Sequence, residues 1–492
     1  MSSYVRRSSL GVALIVLLAF ASAASAKTFV VTKKSDPNPG QCKANDCSLR
    51  EAVIAANDHI GKDVISLPSS SSAYKLTRTP PADSDENQAE HGDLDLSDKT
   101  TVEHSGKGRA TVDANGVDRA FDVQERSPSS FKKLVITGGD GVGAGPMPRP
   151  GQARGLEPLP SPEGGGIRNA ANVRITSSVI KKNRSLSYGG GIGVVDDAGV
   201  TLIRSTVTRN TSGGNDGGGI DADNGKVVIK RSKITKNQAG GNGGAMYYNS
   251  DSPSSKIEDS TISGNSGTGG GGGLFLTSGN DNSLLKVDGS TISGNSTSNS
   301  GGGISVTNNS LTVTNSTVAN NIAAAGGGGG ISSTGVSGPR PGRRGGGQNS
   351  VKLNSVTVVG NKAGATSPII QLLGGGLQDL GDTPSAFKVT NSLIALNFSG
   401  TTRNDCVGPF RSLGHNLLGV TSGGCSGFDG PGDLVKPNPK VGELAKNGGP
   451  TKTIELKSGS PAIGKAAKQS SPKRDQRGHK RDSNPDIGAF ER

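Results

Sequence analysis

Apolar and polar positions repeat along the middle of the chain with a long period. A run of the form Ser-Xaa-hydrophobic-Xaa-Xaa-Asn ends at Asn183, Asn210, Asn237, Asn265, Asn295, Asn321 and Asn397, and a variant with Val356 in the serine position ends at Asn361. Successive asparagines lie 27, 27, 28, 30, 26, 40 and 36 residues apart. Between them come glycine runs, each followed at once or after one alanine by a larger apolar residue: Ile167, Ile192, Ile220, Met246, Leu274, Ile304, Ile331 and Leu377. Self-similarity at such a period denotes a solenoid, propeller or array. Within residues 217–243 three short alternating segments are legible, GGGIDAD, KVVIKRS and KITKN, separated by bends. Three short strands per coil of about 27 residues predict an all-β fold, the right-handed parallel β-helix. A propeller blade needs roughly 40 or more residues and four strands, and the ladder of leucines that marks leucine-rich repeats is missing.

The flanks follow other rules. Residues 27–35 alternate like a strand, and residues 47–59 (CSLREAVIAANDH) predict a short helix. Ser48 suits the N-cap, Glu51 completes a capping box, and Leu49, Val53, Ile54 and Ala56 form one apolar stripe. At the head of a stack, such a helix is expected to cap the apolar layer that the first coil would otherwise expose. Residues 64–136 contain short strand-like pieces that predict the first, less regular coils. Residues 138–166 and 333–350 are rich in proline and glycine and predict extruded loops, the second of which accounts for the 40-residue interval. The expected organisation is a leader over 1–26, a cap and first coils over 27–137, a loop over 138–166, repeats over 167–400 and a C-terminal domain over 401–492.

The recurring asparagine reads as structural. Stacked amides at one bend can bond to neighbours above and below and to the backbone of the turn. Asn183, Asn210 and Asn295 also head glycosylation sequons, which matter only in a eukaryotic secretory route. The glycine triplets read as corners, because a phosphate cradle would add a lysine and a helix start.

Composition agrees with thin stacked layers: 78 glycines, 3% aromatic residues and no tryptophan. Residues 1–26 have the positive start (Arg6, Arg7), short apolar stretch and Ala24-Ser25-Ala26 site of a secretory signal peptide, so a secreted or cell-surface protein beginning at Lys27 is expected. The formal charge of +13 includes the two leader arginines. The remaining excess of basic residues favours anionic partners such as acidic polysaccharide. Nucleic acid is not expected, since no aromatic-interleaved basic patch is present and Arg340, Arg343 and Arg344 sit in a Pro/Gly loop. The cysteines fall into two local pairs, Cys42 with Cys47 and Cys406 with Cys425, and read as disulfides in an oxidising compartment. A zinc site is the competing reading, although the five histidines are scattered. No cofactor motif is present.

Two terminal stretches resemble known modules. CSLREAVIAAN (residues 47–57) and the following GDLDLSDKTTVEHSGKGRATVDANGVDRAFDV (92–123) resemble the bacterial CSLREA domain. SLGHNLLG (412–419), NGGPTKTIELKSGSPAIG (447–464), DQRG (475–478) and DIGAFE (486–491) are similar to the C-terminal choice-of-anchor Q domain of secreted bacterial β-helix proteins. The resemblance implies an exported β-helix protein with a role in adhesion, and it supplies no catalytic residues. In that family an anchoring segment commonly follows. None follows Arg492 here, which makes simple secretion the expectation.

Parallel β-helices also host polysaccharide lyases and glycosidases. Such chemistry needs a spaced acid/base pair, or a calcium cluster with a basic proton acceptor. The catalytic candidates are Asp221 and Asp223, on one strand face at i, i+2, with Lys230 or Arg231 on the neighbouring strand as the base. Asp196 and Asp197 are adjacent on the preceding coil, and Tyr188, Tyr247 and Tyr248 are the tyrosines of the repeats. Solvated turn and edge residues that keep a sheet soluble would look the same. The expected function is therefore non-catalytic binding of polysaccharide or another anionic surface polymer, with a divergent polysaccharide lyase or glycoside hydrolase as the alternative.

Overall fold

The computed structural model describes residues 25–80, 87–141, 163–195, 197–249, 255–278, 283–335, 350–364, 373–381, 387–421 and 424–492. Most of the leader, the greater part of both Pro/Gly loops and Asp196 lie outside the described residues.

Each coil of the repeat region contributes one strand to each of four sheets. In one coil these are Ile220–Asp223 (sheet 1), Val227–Lys230 (sheet 2), Lys233–Thr235 (sheet 3) and Gln238–Ala239 (sheet 4). Sheets 1, 2 and 3 run through 12, 13 and 13 strands, and sheet 4 through 9. The sequence announces the first three strands of a coil. The fourth is two residues long, too short to show alternation, and follows directly on the ladder asparagine. Its register is nonetheless regular, with Gln238 opposite Ser266 and Ala239 opposite Gly267.

Glycine sets the spacing at the corner that leads into sheet 1. Gly217 holds a φ of +65°, and a Cβ on Gly218 or Gly219 would stand 2.7 or 2.6 Å from the Gly244 or Ala245 carbonyl oxygen of the next coil. The Gly218 position is kept free of side chains, while the Gly219 position also takes the methyl of Ala245. The apolar residue after each glycine run points inward, and Ile167, Ile192, Ile220, Met246, Leu274, Ile304, Ile331 and Leu377 form one fully buried column.

All eight asparagines stack in one buried ladder. The Oδ1 of Asn210 accepts both the backbone N–H and the side-chain amide of Asn183, each at 3.0 Å, and the same pair of bonds recurs at every step to Asn397. Each Nδ2 also donates to a backbone carbonyl of the preceding coil, as Asn265 does to Ile234 at 3.0 Å. At the far end Asp405 replaces the amide. Its Oδ1 accepts both donors of Asn397 at 2.9 Å, and its Oδ2 accepts Val420 N–H at 2.8 Å. A ladder end needs an acceptor and no further donor, which a carboxylate supplies. A parallel ladder of serine hydroxyls runs through Ser178, Ser205, Ser232, Ser260, Ser290 and Ser316, and resumes at Ser392. Val356 interrupts it. Asn416 and then the carboxylate of Asp433 complete it.

The helix Leu49–Asn57, here α1, covers the first coil. Ser48 Oγ accepts the Glu51 N–H, and the Glu51 carboxylate accepts the Ser48 N–H at 2.6 Å and the Gly40 N–H at 3.1 Å. Leu49, Ala52, Val53 and Ala56 are buried against the strands below, with Ile54 half-buried. Both cysteine pairs are disulfides, Cys42–Cys47 and Cys406–Cys425, so all four thiols are used.

After the last strand of sheet 3, Leu434–Val435, the chain turns back along the stack. Residues 439–492 lie on the outer face of sheet 3 across several coils. Ile454, Leu456, Ala462, Ile487 and Phe490 pack there with Ala319, Val359, Leu393 and Ala395 as a second core. Gln476 anchors this layer: its Nε2 donates to Ser290 O and Thr291 Oγ1, and its Oε1 accepts Thr317 Oγ1 at 2.6 Å. The terminal motifs are thus largely bonded to the scaffold. Asp475 accepts the Arg477, His479 and Glu491 N–H groups, and Arg477 lies over the Phe490 ring at 3.6 Å.

Candidate functional site: the outward faces of the stack

Sheet 1 presents one outward row in register: Asp95, Asp122, Arg168, Gly193, Asp221, Tyr247, Phe275, Ser305, Ser332 and Gln378. Asp221 and Asp223 both lie on this face, directly opposite Tyr247 and Asn249 of the next coil. Asp223 is exposed, and its Oδ1 accepts the Asn249 amide at 2.7 Å. Asp221 is only 5% exposed, and its Oδ2 has no hydrogen-bond partner. Burial, with the nearby charges of Glu163, Asp216 and Asp223, pushes its carboxyl well above the usual carboxylate range. The Tyr247 ring stacks parallel on Phe275, with centroids 5.7 Å apart and planes 7° off parallel. Burial first, and then Asp216, Asp221 and Asp223, raise the Tyr247 phenol. Tyr188 is raised by burial and by the same carboxylates. The third tyrosine, Tyr248, points into the core and is fully buried.

The structure does not supply the base expected beside this pair. Lys230 belongs to sheet 2 and pairs with Glu258 at 2.9 Å, while Arg231 sits at the following bend and pairs with Asp259 at 3.5 Å. The shifted position follows from the corner between sheets 1 and 2, which turns the two faces apart. Among the described residues no group of three or more His, Cys, Asp or Glu is arranged to hold a metal ion. What remains is a carboxyl favoured in its protonated form, a neighbouring exposed carboxylate and a flat aromatic platform. Asp216 and Phe275 were not singled out from sequence. The signal for Phe275 is its position directly after the inward Leu274, the same offset as Asp221 after Ile220.

Sheet 2 carries a different row. Register aligns Arg174, Thr201, Val228, Lys256, Lys286, Thr312, Lys352, Lys388 and Arg411 on its outward face. Strands stand about 4.8 Å apart, so these nine positions span roughly 38 Å. Six are cationic. Lys256 shares Glu258 with Lys230, whereas Lys352, Lys388 and Arg411 succeed one another on three consecutive coils. A cleft of about 550 Å³ opens on this face beside Lys226, Lys256, Lys286 and Thr312. Sequence alone shows these cations as scattered, because the repeat interval varies between 26 and 40 residues across them.

A buried carboxyl on sheet 1 yields a stability prediction. Asp379 is 2% exposed, its Oδ1 accepts Gly381 N–H at 3.1 Å, and its Oδ2 has no partner. Burial raises it to about 6, and the Gly381 N–H and the neighbouring Ser333 hydroxyl offset only part of that. In the same column Asn169 makes the matching turn with Ala171 N–H at 3.2 Å, and its Nδ2 also donates to Gly199 O at 3.2 Å. A folded value above the unfolded 3.8 means that stability is highest with Asp379 protonated and falls as pH rises from about 4 to about 6. Asp379→Asn is expected to remove that fall and to raise stability above pH 6 by on the order of 2–3 kcal/mol. Urea midpoints measured from pH 4 to 8 check it. Parallel curves for the two proteins would refute it.

The family described as "Right handed beta helix region" matches residues 166–363. No curated protein matches the chain. Among solved structures, the crystal structure of pectate lyase Pel9A aligns with 96% of this chain and 98% of its own, at 14% identity and a TM-score of 0.42. The long parallel sheets, the inward apolar column and the family match across the repeats lead to one conclusion: the chain is a right-handed parallel β-helix protein.

Proposed function

We propose that the protein is a secreted or cell-surface binder of anionic polysaccharide, acting without catalysis. The observation that carries this reading is the in-register row of cations on sheet 2, from Arg174 to Arg411. An extended polyanion can follow such a row with one contact per coil or two, and the summed charge raises its local concentration. The signal-peptide pattern of residues 1–26 and the resemblance to CSLREA and choice-of-anchor Q proteins support export.

The double variant Lys352→Glu/Lys388→Glu is expected to weaken binding to polygalacturonate about tenfold or more, with a steep loss of binding as salt rises. Neither lysine is buried, so the melting temperature should hardly change. Equal retention of both proteins on polygalacturonate columns would refute the reading. A second reading rests on Asp221: a buried carboxyl held above the usual carboxylate range, its Oδ2 without a partner, beside Tyr247 and Asp223 supports glycosidic bond cleavage by general acid catalysis. In the same assay, release of reducing ends that is abolished by Asp221→Asn would replace the binder with an enzyme.

A further inference from the structure

The C-terminal layer holds a second concentration of positive charge, separate from sheet 2. A cleft of about 330 Å³ is lined by Lys468, Lys473, Arg474, Lys480 and Arg481, with Asp482 as the acidic member. This volume falls in the range of small-ligand pockets. Four of the cations come from one hairpin. Arg474 pairs with Lys480 in an antiparallel bridge, and the Arg481 N–H donates to Lys473 O at 3.1 Å, which sets Lys473–Arg474 across from Lys480–Arg481.

The hairpin is held rigidly. Its turn is tied by Asp475, which accepts the Arg477 and His479 N–H groups, and Gln476 is bonded into the outer face of sheet 3. Like charges brought together on a fixed frame repel unless an anion is present, so the frame maintains a cost that a ligand relieves. Asp482, whose Oδ1 accepts the Asn484 N–H at 2.7 Å, is one carboxylate against the four exposed cations and leaves the cleft positive.

Arg481 forms the inner wall of the cleft and is already ion-paired with Glu491. It is 5% exposed, and its Nη groups are fully engaged: Nη1 with Asp486 O and Glu491 Oε2 at 2.9 Å, Nη2 with Gly488 O at 2.7 Å. Its Nε is buried and has no acceptor. The guanidinium is therefore committed to acceptors of its own layer, and the exposed Lys468, Lys473, Arg474 and Lys480 are the cations that an oxyanion in the cleft would meet.

We propose that this cleft binds one oxyanion-bearing sugar residue, carrying sulfate, phosphate or carboxylate. The site stands apart from the cation row of sheet 2, and it does not require that row to bind a polymer. The source of the anion, a saccharide or a lipid headgroup, is separated by experiment. Calorimetric titration of the full chain with a sulfated monosaccharide, and with inorganic sulfate and phosphate, is expected to show one saturable site. Lys473→Ala/Lys480→Ala replaces two exposed side chains and should weaken it at least tenfold, leaving the melting temperature unchanged. Lys352→Glu/Lys388→Glu should leave it intact, so failure here and failure of the sheet 2 reading are distinguishable. Absence of a saturable site, unchanged affinity in Lys473→Ala/Lys480→Ala, or binding only to phosphatidylserine vesicles with none to the soluble ligands would each overturn the proposal.

Discussion

Replacing Asn265 with alanine is expected to lower stability by about 3–5 kcal/mol, although the substitution removes only an amide group. Asn265 Oδ1 accepts the Asn237 N–H and the Asn237 Nδ2, both at 3.0 Å, and its own Nδ2 donates to Ile234 O and to Asn295 Oδ1. Alanine would leave two donors of Asn237 and one carbonyl unpaired in a site where Asn265 is 1% exposed. Each orphaned buried group costs roughly 1–3 kcal/mol. Asn265→Asp should be worse at neutral pH. Its second oxygen would face Ile234 O and Asn295 Oδ1, both acceptors, whereas Asp405 is tolerated because only donors face it. Because coils contact only their neighbours, the damage should be local. Hydrogen exchange should rise in the coils around residues 230–300 before it rises at α1. A loss under 1 kcal/mol in Asn265→Ala would mean that the amides are bystanders and that the apolar column alone holds the register.

The parts of this fold that were legible in sequence are those where one residue type is demanded at every coil. Glycine recurs two residues before each inward residue of sheet 1 in the repeats, and asparagine has both the acceptor and the donors that an internal rung uses, so their spacing exposes the period directly. Features that depend on register were not legible. The cation row from Arg174 to Arg411 forms only once variable loops have been subtracted from each coil, and Phe275 joins Tyr247 for the same reason. The pairing of Asp221 with a nearby base failed because a strand-by-strand reading cannot see that a bend rotates Lys230 onto another face. The C-terminal layer left a trace that went unread. Outward positions of sheet 3 change from Thr206, Lys233 and Thr261 to Thr317, Thr357 and Leu393, and from Thr208, Thr235 and Ser263 to Ala319, Val359 and Ala395. A face that loses its polar residues partway along a solenoid is a face that something covers.

Arg50→Lys should be nearly as damaging as loss of a ladder rung, at about 3–5 kcal/mol, although charge is conserved. Arg50 is fully buried in α1 and uses all of its side-chain donors. Nε and Nη2 grip the two oxygens of Asp36 at 2.7 and 3.0 Å, while Nη1 and Nη2 donate to the carbonyls of Ala89, Asp93 and Gly92 at 2.8–3.0 Å. One guanidinium thus joins the lid, the segment before it and the turn entering the second coil. A lysine ammonium is a point donor on a flexible stem. It can satisfy one oxygen of Asp36 or one carbonyl, and it leaves the rest of a buried acceptor cluster unpaired. Asp36 would retain the Thr77 and Arg78 N–H groups at 2.9 and 3.3 Å, both on Oδ2, which leaves Oδ1 of a buried carboxylate unpaired. The lid should then detach while the middle of the stack stays folded. Limited proteolysis is expected to gain cuts between residues 36 and 96 in Arg50→Lys while cleavage of residues 166–363 stays as in the parent protein, with little change on adding salt because the lost pair is shielded from solvent. Cooperative loss of the entire stack in that variant would show instead that the cap and the coils fold as one unit.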